Sequence, residues 1–119
     1  MRAVSVRQPW ASLLVDGRKS IETRTWDTSY RGKLAIHAGV TPDLNGPWAY
    51  FPSDVILPRG AVLGTVELVD CRPMTPQDEH CACCGYKPGL YAWVISNPIA
   101  FADPIQMRGR LGLWDTDLP

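Results

Sequence analysis

The chain has no apolar run long enough to cross a bilayer as a helix, so no membrane association is expected. Its first ten residues, MRAVSVRQPW, hold no apolar stretch of the secretory kind, and a cytoplasmic location is expected. It carries no net charge, with 12 basic and 12 acidic residues, which argues against avid, unspecific binding to nucleic acid. It has neither an internal repeat nor a low-complexity tail, and its 119 residues read as one domain, 1–119, around one core. Cysteine is limited to Cys71, Cys81, Cys83 and Cys84, and in a cytoplasmic chain these are expected to be reduced rather than bridged.

What is present is unevenly placed. Residues 1–40 hold seven basic and three acidic side chains, while the remainder holds five and nine. If the first segment forms one face, that face attracts phosphate while the whole stays neutral; if the fold mixes the halves, no such face exists. Within this segment the stretch GRKSIETRTW places Lys19, Glu22, Arg24 and Trp26 inside ten residues. These are either a solvated strand or the floor of a pocket.

The pattern along the chain is mostly that of short strands. RAVSV, residues 2–6, has strand character. Pro9 suits a first helical turn, Trp10, Leu13 and Leu14 supply the apolar face of a short helix over 9–16, and Gly17 ends it. From Ser20 to Trp26 the residues alternate, with Ile21, Thr23 and Thr25 on one side and Glu22, Arg24 and Trp26 on the other. Lys19 has the wrong parity for that second face, but it sits beside a turn, from which it can still reach Glu22. Further strands are predicted over 33–38, 61–70, 90–95 and 101–108, with LGLW, 111–114, closing the core. Gly64 marks a bulge or a close approach of chains. Residues 39–60, rich in Pro and Gly, and residues 71–89, with all the cysteines, read as long loops, the first with a short helix near 48–55. The sum favours an α+β fold, a small mixed β-barrel of five to six strands with one clear helix and two long loops.

The segment SVRQPWASLLVDGRKSIETRTWDTSYRGKLAIHAG resembles the activating signal cointegrator homology (ASCH) domain. Gly17, Lys19, Glu22 and Arg24 match that family's G-x-K-x-x-E-x-R signature. Ser5, Gln8, Pro9, Trp10, Arg31, Gly32 and His37 match around it, and YAWVISNP and RGRLGLW resemble the family's last strands. The resemblance implies a PUA-like β-barrel whose signature residues line a cleft between barrel and helix. It further implies RNA, single-stranded nucleic acid or a modified nucleoside as ligand. On this basis Lys19, Glu22 and Arg24 are the candidate catalytic set. Ser5, Gln8, Trp26, Tyr30, Arg31 and His37 are candidate ligand contacts, Trp26 as a base-stacking indole. No protein partner is expected.

The chemistry of the set is that of anion binding and proton movement. Lys19 is a compact three-donor cation, Glu22 accepts from a base edge or relays a proton, and Arg24 grips phosphate or holds the carboxylate. Three readings stay open. The first is an RNA- or nucleotide-binding domain, including a ribonuclease that works through the 2′-OH and requires no metal. The second is an amidohydrolase acting on an acylated nucleoside such as N4-acetylcytidine. Relatives with that activity keep the Lys but place a Thr nucleophile where this chain has Glu22. The third is a non-catalytic interaction module. Separately, Cys81-x-x-Cys84, with Cys71 and His80, offers four donors for a structural zinc, in a spacing that matches no standard finger. No cofactor is required, and a redox role for Cys81 and Cys84 is disfavoured because no helix start is evident beside them.

Overall fold

The computed structural model describes all residues, Met1–Pro119. Six strands form one mixed sheet: β1 (Arg2–Val6), β2 (Ile21–Arg24), β3 (Gly32–Ala38), β4 (Ala61–Pro73), β5 (Tyr91–Gln106) and β6 (Leu113–Asp115), in the order β2-β5-β4-β3-β1-β6. β1 and β3 run parallel, with Ala3 opposite Ala35 and Ser5 opposite His37, and every other pairing is antiparallel. The expected α+β barrel is therefore present as a curled half-barrel of six strands, with β2 and β6 at its two edges. No helix is long and apolar enough to cross a membrane.

Strand alternation explains how the sheet is covered on both faces. Val4, Val6, Leu34, Ile36, Val66, Leu68, Trp93 and Ile95 point to one side and join Ala11, Leu14 and Val15 in the main core. Ala3, Ala35, Val62 and Trp114 point to the other and form a small second cluster. Helix α1 (Trp10–Val15) is only six residues long and has no side-chain cap. Burial of Ala11, Leu13, Leu14 and Val15 holds it, and each large apolar side chain so buried contributes about 1.5–3 kcal/mol. Gly17 follows with φ of 88°, the left-handed geometry that ends the helix and turns the chain into β2.

The sheet curls because its longest pair is bulged. The β4–β5 register shifts between Val62 and Gly64, between Thr65 and Glu67, and between Leu68 and Asp70. At Gly64 the two backbones approach so closely that a Cβ would overlap the Ile99 carbonyl. The region 90–108, read as two strands, is one strand of 16 residues, because these bulges let β5 bend and stay paired with β4 throughout.

The second loop is more ordered than its composition indicates. β4 continues to Pro73 and carries Cys71 within it, a 3-10 turn covers Pro76–Asp78, and a helix α2 spans Glu79–Ala82. A helix start thus lies beside Cys81, although α2 is a single turn. In the first loop the short helix is a 3-10 turn over Trp48–Tyr50.

Asp78 organises the second loop. Its two oxygens accept from Arg72 Nη1 and Nη2 at 2.8 and 2.9 Å, and Oδ2 also accepts from the Thr75 backbone N–H at 2.8 Å. The Arg72 pairing above all, with the Thr75 bonds, holds this buried carboxyl far below the usual carboxylate range, against the opposing effect of burial. Asp78→Ala is expected to cost about 2 kcal/mol in urea denaturation at neutral pH, since it removes the bidentate bond from Arg72 and the turn cap at Thr75. A group with a lowered folded pKa stabilises above its unfolded value and stops doing so as pH falls through the folded one. The difference between wild type and variant is therefore expected to shrink on acidification below about pH 4.

Candidate functional site

Lys19 follows the α1 turn, and its backbone N–H bonds the Leu13 carbonyl at 3.0 Å, which aims its side chain inward. That side chain is only 1% exposed. Its ammonium group donates to the Ala82 carbonyl, lies 3.6 Å from Glu22 Oε1 and sits 4.6 Å from the centroid of the Trp10 ring. On β2, Glu22 Oε2 lies 3.3 Å from Arg24 Nε. Arg24 Nη2 donates to the Ser5 carbonyl at 2.6 Å and so ties edge strand β2 to β1, which the ladder does not join. The three signature side chains therefore form one row, Lys19–Glu22–Arg24, at the base of a cleft of about 730 Å³.

The contacts of Glu22 with both cations are long, so its oxygens keep lone pairs for a ligand. Glu22 and Arg24 are 12% and 23% exposed and are the members of the row that solvent reaches. The buried Nε of Arg24 has no hydrogen-bond partner. Arg7, Trp10, Asp43, Tyr86 and Lys87 complete the walls, and Thr23 and Cys84 face the same space. Trp10 Nε1 donates to Asp43 Oδ2 at 2.9 Å. That bond is the main reason the Asp43 carboxyl lies below its usual range, helped by the Asn45 N–H and the charge of Arg7 and opposed by burial. Trp10 accordingly does two jobs, touching the main core and walling the cleft.

The other sequence candidates fall in different places. Ser5 lines the cleft. Gln8 is fully buried, with its amide donating to the Pro58 carbonyl at 2.8 Å and accepting from the Ser12 N–H at 3.1 Å, so both ends are spent on tying loop 39–60 to α1. Trp26 stands edge-on to Trp93 at 4.7 Å, and its carbonyl accepts from Trp93 Nε1 at 3.2 Å, outside the cleft. Tyr30 donates to the Lys33 carbonyl at 2.5 Å, and Arg31 caps the Thr28 and Tyr30 carbonyls at 2.8 Å, again outside it. His37 is buried between Ser5 and Met107 and borders a second cavity.

The four sulfur and imidazole candidates for zinc are not gathered. Cys71 lies on β4, Cys81 is exposed, and Cys84 Sγ is 4.0 Å from Thr23 Oγ1 in the cleft wall. No three His, Cys, Asp or Glu side chains come together as a metal-holding group in this structure. All four thiols are free.

The sequence matches the ASCH domain over residues 4–105. The chain belongs to the ASCH family. Activating signal cointegrator 1 from Mus musculus and from Homo sapiens are each 32% identical to it over 129 aligned residues. That alignment covers 96% of this chain and 22% of each relative, so this ASCH chain spans about a fifth of their length. Its fold is also that of the crystal structure of ASCH from Zymomonas mobilis, with a TM-score of 0.60, 14% identity, and 98% and 87% of the two chains covered. A tyrosine-to-phenylalanine mutant of that protein gives a TM-score of 0.66 at 13% identity, covering 98% and 90%. In this ASCH domain Lys19, Glu22 and Arg24 thus form a row of buried and half-buried charges beneath a cleft. Arg7, Asp43, Tyr86 and Lys87 escaped the sequence reading because loops distant in sequence deliver three of them, and only the position of Arg7 beside the QPW element hinted at its place.

Proposed function

We propose that this ASCH domain binds RNA or another single-stranded nucleic acid, with a nucleotide seated over Lys19, Glu22 and Arg24. The observation that carries this reading is the Lys19–Glu22–Arg24 row. It offers an acceptor flanked by two donors, at the base of a cleft whose rim adds the unpaired Arg7 and Lys87 and the ring of Tyr86. Glu22 accepts from an N–H on a base edge, Arg24 and the rim cations meet phosphate, and Tyr86 offers a stacking face. Cleavage through the 2′-OH is the further step this set permits: Glu22 takes the hydroxyl proton as the 2′-oxygen bonds to phosphorus, the cations steady the phosphorane, and the bond to the 5′-oxygen breaks with the proton passing to that oxygen, leaving a 2′,3′-cyclic phosphate.

The test is a titration of labelled single-stranded RNA at two salt concentrations, run on a gel that also displays shortened products. Glu22→Gln is expected to weaken binding about tenfold and to level any preference among the four bases. Unchanged affinity and base preference in a folded Glu22→Gln protein would mean that Glu22 does not read the ligand. Intact RNA at high protein concentration would remove the ribonuclease step and leave the binding reading standing.

A second reading draws on Thr23, which lines the same cleft as Lys19 and carries the kind of hydroxyl an amidohydrolase uses as nucleophile. Chromatography of N4-acetylcytidine incubated with the protein separates it from the first, since release of cytidine supports amide hydrolysis and its absence removes it.

A further inference from the structure

A second cavity of about 820 Å³ adjoins the first, and Ser5, Gly39 and Val40 border both. Its far side is the segment Gln106–Leu111, which carries Arg108 and Arg110. Both arginines are exposed and neither makes an ion pair or a side-chain hydrogen bond, whereas Arg2, Arg18, Arg24, Arg31 and Arg72 all pair with carboxylates. Val40 and Leu111, at 71% and 98% exposed, add two apolar surfaces to the same cavity.

The arginine segment is anchored. The Met107 N–H bonds the Gly60 carbonyl at 3.1 Å, and the Met107 carbonyl lies 2.7 Å from His37 Nε2. A carbonyl only accepts, so Nε2 carries the proton, and in the neutral ring Nδ1 accepts from the Ser5 hydroxyl at 3.0 Å. Gly109 lies against this pair so closely that a Cβ would stand 2.5 Å from Ser5 Oγ and 2.6 Å from His37 Cε1. Ser5 in turn accepts from Arg24 through its carbonyl. A continuous chain, Glu22–Arg24–Ser5–His37–Met107, therefore links the base of the first cleft to the arginines of the second cavity.

We propose that the Arg108–Arg110 cavity is a phosphate-binding extension of the signature cleft, so that the chain takes an oligonucleotide of two or more nucleotides rather than a single nucleoside. The inference rests on the nucleic-acid reading of the first cleft. The two guanidinium groups grip the phosphodiester of the neighbouring nucleotide, and Val40 and Leu111 lie against its sugar or base. Gly109 keeps the segment close to β1, and His37 is a positioning residue that acts through Met107.

The test is fluorescence anisotropy of labelled oligoribonucleotides of increasing length, from one nucleotide to eight, across a salt series. Wild type is expected to gain at least tenfold in affinity on going from a mononucleotide to the longer probes. The Arg108→Gln/Arg110→Gln protein is expected to lose that gain, with a slope of log affinity against log salt smaller by about 1 to 1.5. The Arg2→Gln/Lys33→Gln protein removes two charges that line neither cavity and is expected to keep the gain. Equal loss in both double variants, retention of the gain without Arg108 and Arg110, or Lys19-dependent binding that does not grow with length would each overturn the extension and leave the first cleft intact. Failure of wild type to bind any probe would overturn both.

Discussion

Replacing Lys19 by Met is expected to reduce affinity for single-stranded RNA by about 30-fold, roughly 2 kcal/mol, because the buried ammonium acts on the ligand through Glu22, whose carboxylate it holds at the cleft base, and through its charge beneath the phosphate. Methionine is the informative substitution because it keeps an apolar stem against Trp10 and deletes only the cation. The site is costly to disturb all the same. Lys19 is 1% exposed and supplies the donor for the Ala82 carbonyl, so its loss leaves a buried acceptor unpaired, at about 1–3 kcal/mol. Glu22 keeps Arg24 as its counter-charge, which limits the damage. The variant should therefore fold, with an unchanged far-ultraviolet circular dichroism spectrum and a lower thermal midpoint. Lys19→Arg is expected to fail as well, because a planar fork does not fit where a compact ammonium sits against an indole. A folded Lys19→Met protein that binds within twofold of wild type would show that the row is structural and that the ligand, if any, is held elsewhere.

The largest effect on stability is expected at Gly64. A Cβ there would overlap the Ile99 carbonyl, a backbone atom of the partner strand that cannot swing away as a side chain does. Gly64→Ala must therefore push β4 and β5 apart at the point where their register shifts, and that pair is the longest in the sheet. A loss of at least about 3 kcal/mol is expected, which lowers the thermal midpoint by roughly 10 °C or prevents folding. Gly85→Ala serves as the comparison, since its nearest neighbour is the Glu79 carboxylate at 3.7 Å, and it should change stability by less than about 0.5 kcal/mol. Equal midpoints for the two variants would mean that β4 and β5 do not approach so closely in solution.

Periodicity along the chain was sufficient to locate most of the architecture. RAVSV and KLAIHA were legible as strands because side-chain direction in a strand is a local property, and in the structure Val4, Leu34 and Ile36 take one face and Ala3 and Ala35 the other. The short helix and its glycine stop were legible for the same reason. The two stretches 90–95 and 101–108 merged into one strand because pairing with β4 across several bulges is a long-range matter. The cysteine segment looked irregular because a 3-10 turn and a one-turn helix depend on Arg72 reaching Asp78, six residues away.

The candidate site divides along the same line. The sequence by itself determined that Lys19, Glu22 and Arg24 share a neighbourhood, since a turn and a four-residue strand hold them within six positions. The resemblance around these residues pointed to the ASCH family, and the domain match over residues 4–105 shows it. Only the tertiary structure decided that Gln8 and Trp26 are spent on the fold, that Trp10 and Tyr86 wall the cleft, and that Cys71, His80, Cys81 and Cys84 stand apart. Only it brought Arg108 and Arg110, some ninety residues from the signature, beside the same strand. The physical reason is that a side chain's local direction follows from its neighbours in sequence. Which loop closes over it, and which charge finds it first, follows from how a curled sheet returns distant segments to β1.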